Sequence, residues 1–299
     1  MTSTENAKVI NRVTWLGMII NTILTVLKLC AGIFAHSQVL VADAVHSLSD
    51  LSTDVAILVG VRFWEQPADE EHPHGHAKIE TVVTVFIGVV LFFVGAGLAR
   101  MAIVSIDDLL AGGKLPMPGQ FAFYAALISI VSKEFLYQIT ARAGSRMGST
   151  ALIANAWHHR SDAISSIPAA LAVLGCMLFG EKYVYLDPVG TVLVSCMIMY
   201  VAFKIVRPAF STLLDAGVSK EKVETIRQVI LANPSIQGVH KIRTRSLGCG
   251  NIAVDLHIQV DPHMEVSEAH TLCHRIQEEL HSQDEKFVDV AVHVEPLTK

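Results

Sequence analysis

The stretch IETVVTVFIGVVLFFVGAGLARMAI, residues 79–103, decides the fold class. A helix needs about 20 mainly apolar residues to cross the hydrocarbon core of a bilayer. Five further stretches qualify in the same way, at residues 12–34, 39–64, 120–141, 152–179 and 183–206. Composition agrees. Charged residues are 17% of the 299, hydrophobic residues 52%, and mean hydropathy is +0.46. A soluble domain carries about 25% charged residues. The expected architecture is a six-transmembrane-helix bundle over residues 1–210.

The connections shape that bundle. Only residues 35–38 join the first two spans, which predicts a tight hairpin. Gly112, Gly113, Pro116, Pro118 and Gly119 mark a loop after the third. Positive charge gives the orientation. Lys8, Arg12, Arg62, Lys78, Arg142, Arg146, Lys204 and Arg207 fall on one side, and Lys114, Lys182 and Arg100 on the other. Both termini are therefore expected in the cytoplasm.

From about Ser211 the pattern changes. SKEKVETIRQVILA, residues 219–232, reads as an amphipathic helix with a Ser cap. In GNIAVDLHIQV, residues 250–260, Ile252, Val254, Leu256, Ile258 and Val260 alternate onto one face, the mark of a half-buried strand. Strands over 239–246 and 287–294 and a helix over 266–280 complete an α-β-β-α-β, ferredoxin-like α+β domain. Residues 211–299 are long enough to form a small domain of their own.

Ionisable residues inside the spans carry the chemistry. VADAVHSLSD, residues 41–50, places Asp43, His46 and Asp50 on one helical face. ANAWHHRSD, residues 154–162, gives Asn155, His158 and Asp162 the same spacing. The two share A-[DN]-A-x-H-x-x-S-D at an offset of 112 residues. A carboxylate at mid-span costs several kcal/mol, and such residues mark ion or proton paths. Packed together, His46, Asp50, His158 and Asp162 offer two imidazoles and two carboxylates, a donor set that suits a tetrahedral divalent ion, zinc first. If Asp43 and Asn155 also turn inward they are candidate additional ligands, and the site approaches the higher coordination that manganese or iron accepts. The bland alternative has them bonding to neighbouring helices. Lys28, Lys133 and Glu134 also lie within spans, where snorkelling or pairing between helices explains each.

Several function classes are excluded. The chain is slightly acidic, net charge -5, with no basic stripe for nucleic acid. Cys30, Cys176, Cys196, Cys249 and Cys273 form no CxxC pair, so neither a disulfide framework nor a thiolate zinc site is expected. No HExxH helix supports a membrane metalloprotease, and no enzyme activity is expected. The N-terminal MTSTENAKVINR lacks a signal-peptide layout.

With its spans, paired HxxxD motifs, His-rich loop and α-β-β-α-β tail, nearly the whole chain resembles the cation diffusion facilitator family. The resemblance implies a homodimeric exporter that moves a divalent metal out of the cytoplasm in exchange for protons, with His46, Asp50, His158 and Asp162 as transport ligands. The loop QPADEEHPHGHAKIE, residues 66–80, is similar to the family's PAD-x-x-H-x-x-G-H-x-K-x-E pattern. That match implies a cytoplasmic site at Asp69, His72 and His76 and leaves His74 without a role. The family's regulatory tail site matches His240, His257, His270 and His293. Glu295 stands where Asp is usual, and Lys241 replaces a common acid. The resemblance also implies a charge interlock between Lys78 and Asp215. Without a long His-rich insertion after the fourth span, it favours a bacterial-type member in an inner (plasma) membrane. The rival reading keeps the fold but not the transport: a scaffold or metal receptor that recruits partners.

Overall fold

The computed structural model describes residues 3–64, 66–147 and 150–297. The order is α1 (Ser3–Phe34), α2 (Gln38–Trp64), α3 (Lys78–Leu110), α4 (Gln120–Met147), α5 (Thr150–Ser165), α6 (Ile167–Phe179), α7 (Leu186–Leu213), α8 (Lys220–Leu231), β1 (Gly238–Gly248), β2 (Asn251–Val260), α9 (Val266–Gln283) and β3 (Phe287–Pro296). This is a helical membrane domain followed by an α+β domain. The side chains of Lys8, Arg12 and Arg62, used above for orientation, lie outside the described residues.

Among the described residues, four segments are long and apolar enough to cross a membrane: Trp15–Phe34, Lys78–Leu110, Asn155–Phe179 and Glu181–Leu213. The other two expected spans are α2 and α4, of 27 and 28 residues. Many side chains of α2 fall outside the described residues, and in α4 Lys133 and Glu134 interrupt the apolar run. The fifth expected span differs in another way, being broken at Ser166 into α5 and α6. Pro168 has no N–H to give the preceding turn, which interrupts the helical hydrogen bonding there.

By packing, the chain divides into Met1–Ala56 with Ile87–Lys204, and Ile57–Phe86 with Ile205–Lys299. In the first unit α4 is the hub, with α1, α5 and α6 packed along it. Its core is rich in alanine: Ala42, Ala122, Ala125, Ala126, Ala169 and Ala202 are buried with Val39, Leu40, Val173 and Ile198. Small residues let membrane helices approach closely, because lipid supplies no hydrophobic drive between them. The bulky apolar residues point outward instead, among them Phe93, Phe135, Leu171 and Phe203. The α1–α2 hairpin is closed by Asp187 at the start of α7. Its carboxylate accepts from Ser37 Oγ at 2.6 Å and from the Gln38 N–H at 2.7 Å, capping α2.

In the second unit the sheet order is β1-β2-β3, with β1 antiparallel and β3 parallel to β2. Ser219 caps α8, its side chain accepting from the Lys222 N–H. Ile226 and Ile230 of α8 and Leu272, Ile276 and Leu280 of α9 form one core with the alternating residues of β2. The register sets His240 opposite His257, His257 opposite His293, and Gln259 opposite Glu295. Three strands thus bring three histidines into one row. A bulge after His240 puts Lys241 in the left-handed region, φ 50.

Candidate metal centres

In the membrane domain, ligand atoms of Asp50, His158 and Asp162 lie within 4.8 Å of one another. α2 supplies Asp50; α5 supplies His158 and Asp162, which meet because residues four apart share a helical face. His158 Nδ1 is 3.7 Å from Asp162 Oδ1. His46 stands one turn before Asp50. It is buried, and its Nδ1 has no hydrogen-bond partner among the described residues. Buried Asp50 Oδ2 is likewise unpartnered, so two polar atoms of the expected site are shut from solvent without a bond. Buried polar groups normally find one. The structure thus gathers three of the four expected residues and leaves His46 outside the cluster.

Asp43 is turned elsewhere. Its Oδ2 lies 3.1 Å from Lys28 Nζ, and its Oδ1 accepts from Ser166 Oγ at 3.0 Å. Lys28 Nζ also donates to Ser47 Oγ and to the Asp43 carbonyl. Asn155 is half-buried on α5, one turn before His158. Of the other polar residues within spans, Lys28 and Lys133 do not snorkel. They are 0% and 2% exposed, and Lys133 Nζ lies 3.1 Å from Asp162 Oδ2. Arg160 lies over the Tyr137 ring at 4.5 Å, with Nε 3.7 Å from Glu134 Oε2. His159 faces away from the cluster toward α1, where a Cβ on Gly17 would come within 3.1 Å of its Nε2.

The loop before α3 holds a second cluster, Asp69, His72 and His76, again with ligand atoms within 4.8 Å. The two Asp69 oxygens face the two imidazoles, Oδ1 to His72 Nδ1 and Oδ2 to His76 Nε2, both at 3.4 Å. His76 Nδ1 is 3.2 Å from the Pro67 carbonyl. A proton on Nδ1 would bond there and leave the Nε2 lone pair toward Asp69, the orientation a metal ligand needs. The His72 backbone N–H holds the Asp69 carboxyl below the usual carboxylate range, with the two imidazoles adding to it. His74 lies outside the cluster, with Nδ1 3.8 Å from Asp289 Oδ2 on β3.

The sheet carries the third cluster. Glu295 accepts from His257 Nδ1 at 2.7 Å and His240 Nε2 at 2.9 Å. These three qualify as a ligand group. His293 lies beside them, its ring 4.5 Å from that of His257 and its Nε2 3.7 Å from Glu295 Oε1. The hydrogen bond from His257 chiefly, and that from His240, hold the Glu295 carboxyl below its usual range. Within this chain His270 does not join them. It sits on α9 with Nε2 3.1 Å from His274 Nε2. At the start of α3, Lys78 Nζ donates to Asp215 Oδ1 at 2.8 Å.

Sequence reasoning had no signal for Lys133 as a partner of Asp162, or for Ser166. Only the fold sets them against carboxylates of other helices.

Residues 14–214 match the cation efflux transmembrane domain, and residues 218–297 the cation efflux protein cytoplasmic domain. Metal tolerance protein C1 of Arabidopsis thaliana is 35% identical over 94% of this chain, which spans 61% of that relative's length. The manganese efflux system protein MneP of Bacillus subtilis is 27% identical, with 98% of each chain covered. An uncharacterized transporter of Methanocaldococcus jannaschii is 31% identical over 94% of this chain and 96% of its own. A solved cytosolic domain of a cation diffusion facilitator family protein is 31% identical over 26% of this chain and 90% of its own, with a TM-score of 0.25. The chain belongs to the cation efflux, or cation diffusion facilitator, family: an integral membrane transporter for divalent metal cation efflux with a C-terminal cytoplasmic domain, and not an enzyme.

Proposed function

We propose that the protein exports a divalent transition metal from the cytoplasm in exchange for protons, as a homodimer in a bacterial inner membrane with both termini cytoplasmic. Residues 1–210 form the transport domain, and 211–299 the metal-sensing and dimerisation domain. The convergence of Asp50, His158 and Asp162 carries this reading. His46 completes the set when its side chain rotates toward Asp50. Neutral imidazole and ionised carboxylate bind metal, and protonation releases it, so one donor set serves both cargoes. An inward-facing site takes metal and gives up protons; an outward-facing site does the reverse.

Two His nitrogens and two Asp oxygens suit zinc. Manganese and iron stay as rival cargoes, since MneP is by name a manganese efflux protein. Asp69, His72 and His76 serve as a cytoplasmic loop site. The cluster of His240, His257, His293 and Glu295 serves as the regulatory site, with His270 as its remaining family ligand. Metal flux into vesicles reconstituted with the purified chain tests the reading. Wild type should load zinc when protons are more concentrated inside the vesicles and leave in exchange, and Asp50→Ala should not. Equal flux in both proteins would reject it, and no flux in wild type would leave the recruiting scaffold as the better account.

A further inference from the structure

Lys133 is a mid-helix lysine of α4 with 2% of its side chain exposed, and its ammonium lies 3.1 Å from Asp162 Oδ2. The other oxygen, Oδ1, faces His158. One oxygen of the central carboxylate is therefore held by a fixed cation, and the other is turned to the metal cluster. We propose that Lys133 is a tethered counter-cation of the transport site: it neutralises Asp162 when no metal is bound, yields to the cargo, and returns to the carboxylate as the cargo leaves. The inference rests on the transport-site reading above and deepens it.

The physical reason is charge. Two carboxylates, Asp50 and Asp162, converge in the cluster, Asp162 buried and Asp50 half-buried. Burying an ion without a partner costs several kcal/mol, so a bare pair would distort the site or stay wetted. An ammonium on a rigid neighbouring helix removes that cost without a diffusible ion. Because it is tethered, it is always at high effective concentration. The same ammonium opposes the metal's positive charge at short range, where screening is weak. It therefore weakens metal binding. A transport site gains from this, because cargo held too tightly is not released. Lys133 thus acts as a positioning residue that sets how firmly the site holds metal, without being a ligand.

Lys28 shows why a merely structural lysine would differ. It is equally buried, but it pairs with Asp43, a carboxylate outside the ligand cluster. Removing Lys28 should therefore act first on packing, since its ammonium bonds no carboxylate of the cluster directly.

The experiment compares wild type with Lys133→Met, Lys133→Gln, Lys133→Arg and Asp50→Ala. Zinc binding to the full chain is measured by titration calorimetry, and zinc flux in reconstituted vesicles. Asp50→Ala identifies the membrane-site component, since the cytoplasmic sites remain in it. Removing one unit charge at this range should tighten zinc binding at the membrane site at least about tenfold in the Met and Gln variants. Half-saturation for flux should fall and maximal rate should fall with it, while Lys133→Arg behaves as wild type. A structural role would instead weaken affinity and rate together. In wild type, zinc should raise labelling of Lys133 by a small amine reagent severalfold, a measurement that needs no folded variant. Unchanged or weaker zinc affinity in the Met and Gln variants overturns the proposal, as does labelling indifferent to zinc. If Asp50→Ala removes neither binding nor flux, the transport-site reading fails first; if it removes both and the Lys133 results fail, only the counter-cation does.

Discussion

Lys28 Nζ lies 3.1 Å from Asp43 Oδ2 with both side chains wholly shut from solvent. Removing one partner from a buried ion pair costs about 3–5 kcal/mol, because the other charge is left uncompensated. Asp43→Ala should therefore lower the thermal stability of the purified chain by that order. Its carboxylate is already taken by Lys28 and Ser166. Zinc, manganese and iron flux should accordingly fall together in competition assays. Loss of manganese or iron flux with zinc spared would instead make Asp43 a ligand.

The Lys78–Asp215 pair is a different kind of contact. Its side chains are 43% and 54% exposed, so solvent screens the 2.8 Å bond and it adds little to stability. Asp215 sits in the left-handed region, φ 55, just past the end of α7. Lys78→Asp should leave the melting temperature almost unchanged yet impair vesicle flux, and adding Asp215→Lys should restore part of it. Equal flux in all three proteins would show a solvated pair with no role in transport.

Zinc should raise the melting temperature of the wild-type chain, since a ligand that binds only the folded state stabilises it by an amount that grows with the logarithm of free ligand over Kd. His257 and Glu295 are joined at 2.7 Å in the sheet cluster. With His257→Ala or Glu295→Gln the zinc-induced shift should shrink, and the metal-dependent change in small-angle scattering with it. His274→Ala should retain both. Undiminished shifts in the first two variants would move the regulatory site elsewhere.

Acid should weaken the tail through Asp284. Its carboxylate accepts from Lys222 Nζ at 2.7 Å, and this bond chiefly, with the Lys286 N–H, holds the group below the usual carboxylate range. The unfolded chain titrates at the ordinary value and so binds more protons between the two. The stability Asp284 contributes is thus complete above the ordinary carboxylate pKa and is lost as pH falls through the depressed folded one. Melting curves of wild type and Asp284→Asn should converge in acid and separate at neutral pH. Parallel curves throughout would rule the contribution out.

The sequence by itself determined whatever depends on local period. Alternation placed Ile252, Val254, Leu256, Ile258 and Val260 in one buried row of β2. It also turned His257 to the other face, where β3 places His293 beside it. The repeated His/Asp spacing named Asp50, His158 and Asp162 because a helix puts such residues on one face whatever packs against it. Ser219 as a cap was legible for the same reason.

What only the tertiary structure decided are the pairings between elements. A lysine in an apolar stretch has the same neighbours in sequence whether it snorkels or meets a carboxylate. Only the fold sets Lys28 of α1 against Asp43 of α2, and Lys133 of α4 against Asp162 of α5. Periodicity likewise could not show that His46 stands apart from the three gathered residues, since rotamer and helix position decide that. Nor could it separate His270, on α9, from the histidines of the sheet. Local periodicity fixes which face a side chain occupies; the partner it meets there is fixed by distances between segments far apart in the chain.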